Sequence, residues 1–597
     1  MCGFIGFLSL NGSLPRHSMS SGLRQLVNRG PDAFGEWIGD GVYLGHRRLA
    51  ILDIDARSNQ PFLSDCSRYA IVFNGEIYNY LSLRDKLLNR GIILKTNSDT
   101  EVLLYLYILE GEQMLAQLRG MFAFVVFDNF MKRAFVARDP YGIKPLFYSQ
   151  QSEGFIFSSQ VRAILETGLV SKDPCPVGQA GFWMLGSIPE PNTWFEHIKS
   201  FPVGSYAYVD NGHLGEINRW WDISDCWRSS LKSDSPDDHV YRATKEALME
   251  SVAAHLVSDV PIGIFLSGGI DSGALAGLIS DLGVRNLHGV TLAYEEFLNT
   301  PNDEAPLAAK LASHYGINHH VRYVRYDEFL SDLPGIISAM DQPSIDGVNT
   351  WYASKGIAEL GLKVVISGVG GDELFQGYGS FRDLPRLVSR WSALNRLPGV
   401  LSLARASASL QAWRTGNQRW HHFPDWAGSI EGAWWLRRGL FSPLELPKLM
   451  GEELAAEGLA GFSPRLWLSN MSGQLPNEGI LAVGQIESTT YLRNQLLRDS
   501  DWASMYHSVE LRTPLVDAWL LRDLQPYLGS FYRFPNKRLL AEAPNRKLPV
   551  ELITRKKTGF GIPVKNWLST GSGKKTNRGG PSQAWARELV GLYEASI

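Results

Sequence analysis

The chain has 597 residues, of which 44% are hydrophobic and 20% charged, and its formal net charge is −3. This length predicts two or three domains, and the composition is that of a globular protein. The charge argues against nucleic-acid binding, no apolar run reaches the roughly 18–20 residues that span a bilayer, and four scattered cysteines (Cys2, Cys66, Cys175 and Cys226) argue against a disulfide scaffold or a zinc site.

Cys2 is the first candidate for chemistry along the chain. Removal of the initiator methionine would leave its thiol beside a free α-amino group, whose ordinary pKa is about 7.7–8.0. Such an amine can act as general base for the thiol, so Cys2 is a candidate amino-terminal nucleophile. The alternative is an ordinary cysteine near the start of the chain.

Residues 2–210 predict an α+β domain. Apolar runs of strand length, rich in β-branched and aromatic residues, occur at 42–46, 69–73 and 121–127. Helical stretches occur near 18–28, 80–90 and 99–110. We expect sheets that pack face to face or under helices. Residues 211–238 are predicted to be a linker, because 222–238 hold Ser, Asp and Pro with little periodicity.

Residues 239–570 predict a doubly wound α/β domain with a parallel sheet, because buried strands and helices alternate. Residues 380–500 are predicted to be mainly helical and are rich in tryptophan, which indicates a region that packs against the rest of the domain and carries no recognisable chemistry. The tail 571–597 is predicted to be flexible. The predicted strands are 260–266, 287–292, 319–324 and 364–366, and the predicted helices are 273–279, 304–315, 327–340 and 349–361.

The segment from Leu266 to Ser272 (Leu-Ser-Gly-Gly-Ile-Asp-Ser) lies where a predicted strand turns into a helix. Glycines let the backbone approach a ligand, and a helix start offers unpaired amides to an anion. No lysine follows the glycines, so this is not the loop of kinases and GTPases. The segment predicts a pyrophosphate site in which Asp271 could hold Mg²⁺. The alternative is a plain connecting turn.

A second glycine-rich loop, from Ser367 to Glu373 (Ser-Gly-Val-Gly-Gly-Asp-Glu), follows the predicted strand 364–366. Loops at the carboxyl ends of parallel strands line the usual ligand crevice of such sheets. Asp372 is therefore a second candidate metal ligand, with a helix N-cap as the alternative.

Together, Cys2, Asn74-Gly75-Glu76 and the Ser-Gly-Gly-Ile-Asp-Ser loop resemble the glutamine-dependent asparagine synthetases, from Cys2 to about residue 563. The resemblance implies a glutaminase domain of the N-terminal-nucleophile hydrolase fold, with stacked antiparallel sheets and helices. It also implies that an ATP-pyrophosphatase domain with a doubly wound parallel sheet and a large helical portion follows.

The resemblance also implies roles in a glutamine site. Cys2 would attack the side-chain amide, and Asn74 and Gly75 would form the oxyanion hole. Arg48 would pair with the α-carboxylate of glutamine, and Glu76 and Asp99 would hold its ammonium group. One cation and two anions match an amino-acid zwitterion. The segment 48–52 would complete the site with Leu49, Ala50, Ile51 and Leu52.

In the second domain, the family pattern implies that ATP is a substrate and Mg²⁺ its metal. Asp271 and Asp372 would hold the metal, and Lys557 would stabilise charge as pyrophosphate leaves. The implied ATP-binding residues are Phe265, Ser267, Gly268, Gly269, Asp271, Ser272, Leu292, Ser367 and Gly368.

The implied reaction converts a carboxylate to an acyl-adenylate, which ammonia from glutamine then attacks; aspartate is the first expected acceptor. Val369 departs from the family, because an acidic residue is common at that position. The surrounding sequence resembles a subgroup found beside bacterial polysaccharide-assembly enzymes, so a sugar uronate is the alternative acceptor. An amidotransferase acting on a phosphoribosyl or sugar-phosphate acceptor would lack the Ser-Gly-Gly-Ile-Asp-Ser loop, and a non-catalytic relative would release no AMP.

We therefore expect small-molecule partners, no nucleic-acid or membrane partner, and a cytoplasmic location. The resemblance allows a homodimer.

Overall fold

Two six-stranded antiparallel sheets form the amino-terminal domain in a computed structural model, which describes residues 2–230, 235–555, 563, 567 and 580–597. The first sheet has the order β10 (Lys199–Ser200), β8 (Phe147–Gln150), β9 (Gly154–Ser158), β1 (Gly3–Ser9), β3 (Val42–Arg48) and β2 (Ala33–Gly39). The second has the order β12 (His213–Arg219), β11 (Ser205–Asp210), β7 (Arg133–Arg138), β6 (Gly120–Asp128), β5 (Tyr69–Ile77) and β4 (Phe62–Leu63).

Alternating side chains of these strands build two kinds of core. Phe4 on β1 and Val72 on β5 lie in the cluster between the sheets, whereas their neighbours Ile5 and Phe73 face helices. This follows from the period of two along a strand. The helices are α1 (Arg16–Gln25) and α4 (Val161–Glu166) on the first sheet, α2 (Tyr80–Asn89) and α3 (Asp99–Glu110) on the second, and α5 (Pro176–Leu185). The predicted α+β fold of stacked antiparallel sheets with helices is confirmed.

The segment predicted as a linker, 211–238, contains ordered elements. Strand β12 pairs with β11 at the edge of the second sheet, and α6 (Ile223–Arg228) buries Ile223 and Trp227. On β12 only Leu214 and Ile217 are part-buried apolar residues, so the alternation typical of a strand is weak in the sequence.

The carboxy-terminal domain has a five-stranded parallel sheet, as predicted. Its order is β15 (Asn318–Val324), β14 (His288–Tyr294), β13 (Ile262–Phe265), β16 (Val364–Ile366) and β17 (Glu510–Arg512). Helix α7 (Asp237–His255) precedes the sheet, and the helices that follow its strands are α8 (Ile270–Asp281), α9 (Ala305–Tyr315), α10 (Tyr326–Ala339), α11 (Val348–Glu359) and α12 (Gly371–Leu374). The strand order reverses between β13 and β16, which is the switch point where such sheets bind ligands.

The tail 571–597, predicted to be flexible, contains a helix at Pro581–Ala595 that buries Trp585, Leu589 and Tyr593, a packing that its sequence did not reveal. The rest of this domain is mainly helical, as predicted for residues 380–500. A π-helix spans Glu487–Leu497 within it. The α-helices are α13 (Ser380–Leu394), α14 (Val400–Thr415), α15 (Phe423–Trp426), α16 (Ile430–Arg438), α17 (Leu446–Met450), α18 (Glu452–Gly461), α19 (Pro464–Ser472), α20 (Gly479–Ile486), α21 (Arg498–Met505), α22 (Ala518–Leu524), α23 (Arg538–Ala541), α24 (Val550–Thr554) and α25 (Pro581–Ala595).

One apolar core joins the two domains. It includes Leu49 and Met121 of the first domain and Leu374 and Leu515 of the second, and Val369 packs against it. Among the described residues, no helix combines the length and the apolar character needed to cross a membrane.

Candidate active site

Cys2 lies just before β1 and is held from two sides. Its main-chain N–H donates to Asn74 Oδ1 at 3.1 Å, and Arg29 Nε donates to its carbonyl oxygen at 3.1 Å. Its side chain is buried, and burial raises the pKa of the thiol, which a main-chain hydrogen bond from Leu49 partly offsets. The thiol therefore sits in a desolvated pocket between β1, β5 and the segment 48–52.

Asn74 and Gly75 lie in the middle of β5, beside Cys2. Asn74 is fully buried, and among the described residues its side-chain Nδ2 has no hydrogen-bond partner. A buried donor left unpaired costs about 1–3 kcal/mol, so a ligand oxygen at this place would gain a ready hydrogen bond. Gly75 has φ +152°, and a Cβ there would lie 2.0 Å from the Met121 carbonyl oxygen. Only glycine fits this close approach of β5 to β6.

Arg48 is buried at the end of β3, where its guanidinium holds the turn that follows. Nη1 donates to the Asp55 carbonyl oxygen and to Asn59 Oδ1, both at 2.8 Å, and Nη2 donates to the Leu52 carbonyl oxygen at 3.1 Å and also to that of Asp53. Most of its five N–H donors are therefore engaged with this turn in the structure.

Glu76 and Asp99, at the end of β5 and the start of α3, form a buried acidic pair. Asp99 accepts the Ile77 N–H at 3.0 Å, and burial raises the pKa of its carboxyl to about 6. Burial also raises the pKa of Glu76 well above its ordinary value, and the nearby Glu510 and Asp99 add to the shift. Two desolvated carboxyl groups in one pocket would be stabilised by a bound ammonium group.

The segment 49–52 lines the same region. The Ala50 N–H donates to Asp32 Oδ2 at 2.8 Å, which fixes the segment to residues 29–32 (Arg-Gly-Pro-Asp). Leu49 and Ile51 enter the core between the domains, and Leu52 packs under the helices of the second sheet.

The loop between β13 and α8 is closed by its two serines. Ser267 Oγ and Ser272 Oγ lie 2.9 Å apart, the Ser267 N–H donates to Ser272 Oγ at 3.1 Å, and the Gly269 N–H donates to Ser267 Oγ at 3.1 Å. The loop therefore opens a twelve-residue helix, α8, at the switch point of the sheet.

The second glycine loop packs against the first. A Cβ on Gly368 would lie 2.9 Å from Asp271 Cβ and 3.2 Å from the Ser272 nitrogen. A Cβ on Gly371 would lie 2.5 Å from Asp271 Oδ1. The two loops can therefore pack this closely because Gly368 and Gly371 have no side chain.

Asp271 and Asp372 converge on Lys537, which the sequence interpretation missed. Lys537 Nζ lies 2.7 Å from Asp271 Oδ1, 2.6 Å from Asp271 Oδ2 and 2.5 Å from Asp372 Oδ1. Burial opposes the charge of this lysine, but the two carboxylates raise its pKa above the ordinary value. Lys537 and Asn536 both have positive φ, +54° and +57°, so the backbone turns sharply to place the ammonium group there. Lys537 is 266 residues from Asp271, and no motif surrounds it.

Phe265 and Leu292 lie at the carboxyl ends of the neighbouring strands β13 and β14. Phe265 pairs with Val290 in the parallel register, and Leu292 is two residues beyond Val290, so the three share one face of the sheet. Leu292 is buried and Phe265 is part-buried. Ser367 follows β16, and its N–H donates to the Arg512 carbonyl oxygen at 2.9 Å.

Two predicted positions remain, Val369 and Lys557. Val369 is part-buried against the core between the domains. Lys557 lies outside the described residues. Among those residues there is no group of three or more His, Cys, Asp or Glu side chains that could hold a metal ion by itself.

Buried ion pairs tie the first pocket to the second domain, and these also escaped the sequence interpretation. Arg29, which donates to Cys2, also binds Asp501 on α21 at 2.6 and 3.1 Å. Arg512 on β17 lies 2.6 Å from Glu510 and 3.7 Å from Glu76. The sequence around Arg29 (Arg-Gly-Pro-Asp, residues 29–32) gives no sign of its partner, which lies 472 residues away.

Comparison with known proteins agrees with this arrangement. A glutamine amidotransferase domain model matches residues 1–221, and an asparagine synthase model matches residues 243–585. A Mycobacterium tuberculosis protein with the provisional name glutamine-hydrolysing asparagine synthetase is 30% identical over 100% of this chain and 91% of its own length.

Two further relatives match nearly the whole chain. Glutamine-hydrolysing asparagine synthetase 1 of Bacillus subtilis is 28% identical over 95% of this chain and 88% of its own. The amidase chry2 of Gibberella zeae is 29% identical over 99% and 92%. Among solved structures, a glutamine phosphoribosylpyrophosphate amidotransferase from B. subtilis aligns at 17% identity over 62% of this chain and 81% of its own, but its TM-score of 0.29 supports no argument.

Proposed function

The chain belongs to the asparagine synthase family and has a glutamine amidotransferase domain, and from this premise we propose that it converts a carboxylate to an amide with glutamine and ATP. The observation that carries the proposal is the apolar core shared by the two pockets. It extends from Leu49 and Met121, near Cys2, to Leu515 and Val369, near Asp271. A nitrogen donor and an activated acceptor can therefore lie on either side of one water-poor contact.

In the first half-reaction, the Cys2 thiol attacks the side-chain carbonyl carbon of glutamine. The α-amine of Cys2, freed by removal of Met1, takes the thiol proton and passes it to the leaving nitrogen. The Asn74 side-chain N–H and the Gly75 main-chain N–H donate to the oxyanion. Ammonia leaves, and water hydrolyses the resulting thioester to glutamate.

Glu76, Asp99 and Arg48 would select glutamine. The two buried carboxyls are destabilised in their charged form, so an ammonium group placed between them would gain most from pairing. Arg48 is engaged with the 52–59 turn, so pairing with the α-carboxylate requires it to exchange at least one carbonyl partner.

In the second half-reaction, an acceptor carboxylate oxygen attacks the α-phosphorus of ATP and pyrophosphate leaves. The loops 266–269 and 367–370 would hold the phosphates through main-chain N–H groups and the Ser267 and Ser272 hydroxyls. Phe265, Leu292, Ser367 and Gly368 would line the nucleoside. Lys557 would stabilise the departing pyrophosphate. Ammonia then attacks the acyl carbon, and AMP leaves with the amide formed.

The pair Asp271 and Asp372 fits a magnesium ion. Both carboxylates already approach one positive group, Lys537 Nζ, within 2.7 Å. Magnesium is commonly held by one or two carboxylates together with substrate phosphates, and when bound it would neutralise phosphate charge. Lys537 would hold the two carboxylates together in the absence of the metal.

Aspartate is the first proposed acceptor, because the asparagine synthase model and the relatives named asparagine synthetase support it. A second candidate, a sugar uronate or another carboxylate, is favoured by Val369, which cannot carry charge or accept a proton. One relative that matches nearly the whole chain is named an amidase, so the relatives do not all share the name asparagine synthetase.

Mass spectrometry of the purified protein with ATP, Mg²⁺, glutamine and either aspartate or a panel of uronic acids tests the proposal. We expect one amide product and an equal amount of AMP. The Cys2→Ala variant should form no amide when glutamine is the nitrogen source but should still form it from added ammonia. The Cys66→Ala variant, at an exposed thiol, should behave as wild type. Glutamate release with no AMP on any acceptor would contradict the synthetase half of the proposal.

A further inference from the structure

Residues 384–424, which we call the arginine segment, have an unusual charge. They contain six arginines and no aspartate, glutamate or lysine. Because the whole chain has a net charge of −3, the rest of the chain carries −9. A strongly basic segment in an otherwise acidic chain indicates a surface directed at an anionic partner.

The same segment exposes large apolar side chains. Trp413 is 81% exposed and Leu403 is 73% exposed, and both lie on α14. The other exposed apolar residues of the segment are Leu394, Leu397 and Leu410. This part of the chain was expected to be packing mass, but its outer face packs against nothing in the described residues.

The geometry of α14 places these side chains on one face. Leu403 and Leu410 are seven residues apart, which is almost two helical turns, and Trp413 follows one turn later. Ala408 and Ala412 are buried on the opposite side. The helix therefore packs against the protein through these two alanines and exposes its larger apolar side chains to solvent.

Arginines of the segment lie on α13 (Arg386 and Arg390), in the connection after it (Arg396) and on α14 itself (Arg405 and Arg414). Arg386, Arg390, Arg396 and Arg414 form no ion pair with any described residue, whereas Arg405 binds Asp425 at 3.0 Å. Exposed tryptophan and leucine in one segment with unpaired arginines combine the two kinds of group that bind an anionic membrane surface, apolar anchors and cations.

We propose that the arginine segment docks this protein on the surface of an anionic phospholipid bilayer. The apolar side chains of α14 enter the boundary between headgroups and acyl chains, and the arginines contact lipid phosphates. The docking is peripheral, so it agrees with the absence of a spanning helix among the described residues. It departs from the expectation that the chain has no membrane partner.

Charge decides against two other occupants. A symmetric contact with a second copy would set the arginine segment against itself, so the arginines would repel each other. A nucleic acid would use the arginines but would leave the leucines exposed, because affinity for nucleic acid comes mainly from phosphate contacts.

Co-sedimentation of the full chain with vesicles tests this. We expect binding to vesicles of mixed phosphatidylcholine and phosphatidylglycerol and at least about tenfold weaker binding to pure phosphatidylcholine. The Leu403→Ser/Leu410→Ser/Trp413→Ser variant should lose at least about tenfold in partition coefficient, because it removes the inserted groups. Each of Arg390→Gln and Arg396→Gln should weaken binding by about fivefold.

A matched control removes three exposed apolar side chains elsewhere. Ile93→Ser/Phe130→Ser/Leu466→Ser replaces residues that are 80%, 77% and 66% exposed, and it should bind as wild type. Glutaminase activity without vesicles should be unchanged in both triple variants, which shows that they fold. The proposal would be overturned if the wild type did not bind anionic vesicles, or if both triple variants lost binding equally. It would also be overturned by a concentration-dependent dimer that the α14 substitutions abolish.

Discussion

At the scale of the residue, the buried carboxyl of Asp99 shows how the proposed glutamine pocket would be built at the expense of stability. Nothing described in the pocket neutralises it fully, and burial raises its pKa from 3.8 to about 6. The folded state therefore holds the proton more tightly than the unfolded state between about pH 4 and pH 6. Its contribution to stability is favourable below this window and is lost as pH rises through about 6.

We predict that Asp99→Asn stabilises the fold and weakens glutamine binding. At pH 7.5 the gain in unfolding free energy should approach about 3 kcal/mol, since the shift is about two pKa units, and it should shrink toward pH 4. The KM for glutamine should rise by about tenfold, because an ammonium partner is lost. Urea denaturation and glutaminase kinetics measure both effects. The exposed Asp85→Asn should change neither, and a pH-independent gain in Asp99→Asn would contradict the pKa argument.

Lys537 places a positive charge between the two candidate metal ligands of the second pocket. Lys537→Met removes the ammonium group between Asp271 and Asp372, so the carboxylates lose a buried counter-charge, at a cost of about 3–5 kcal/mol. We predict a lower melting temperature and a larger rise on addition of MgCl₂ than in wild type. Thermal denaturation with and without Mg²⁺ measures this. Lys547→Met, at an exposed lysine, is the control. An Mg²⁺ response equal to that of wild type would argue against a metal site at these two carboxylates.

Val369 is the residue on which our proposal of a second candidate acceptor depends. Its side chain packs against the core between the domains and offers no charge to the second pocket. We predict that Val369→Glu changes acceptor turnover by about tenfold or more and leaves glutaminase activity near wild type, because the first pocket lies on the other side of that core. Separate assays of amide and glutamate measure this. Equal loss of both half-reactions would contradict the assignment.

At the scale of the element, the two glycine loops depend on close approach. Gly368→Ala would place a Cβ 2.9 Å from Asp271 Cβ and push the loops apart. We predict a loss of about 100-fold in acceptor-dependent exchange of pyrophosphate into ATP, because displacements near 1 Å cost that much, with glutaminase activity kept. Gly591→Ala, on α25 with open space around it, should be silent. Full exchange activity in Gly368→Ala would contradict the placement of ATP at these loops.

The elements were predictable from the sequence where periodicity or a motif marked them. Strands β5, β6, β13 and β14 are apolar runs, and both glycine loops follow such runs. Strand β17 was not predictable, because Glu510 and Arg512 are charged and their burial depends on pairing with each other. Lys537 and the Arg29–Asp501 pair were missed for the same reason, since only the fold brings such distant charges together.

At the scale of the whole molecule, the domain interface links the two pockets physically. Arg29 joins the Cys2 carbonyl to Asp501, and Lys363 of the second domain binds Asp32 of the first at 2.7 Å. Beside these pairs lies the apolar core through Met121 and Leu515. The central claim is that ammonia released at Cys2 passes through this interface to the activated carboxylate without entering the solvent.

Isotopic competition tests that claim most directly. The enzyme would turn over glutamine with heavy nitrogen in its side-chain amide, in the presence of excess unlabelled ammonium and whichever acceptor supports AMP release. We predict an amide product that keeps the heavy nitrogen even when unlabelled ammonium greatly exceeds the ammonia released. A product whose label follows the composition of the bulk ammonium pool would contradict the account.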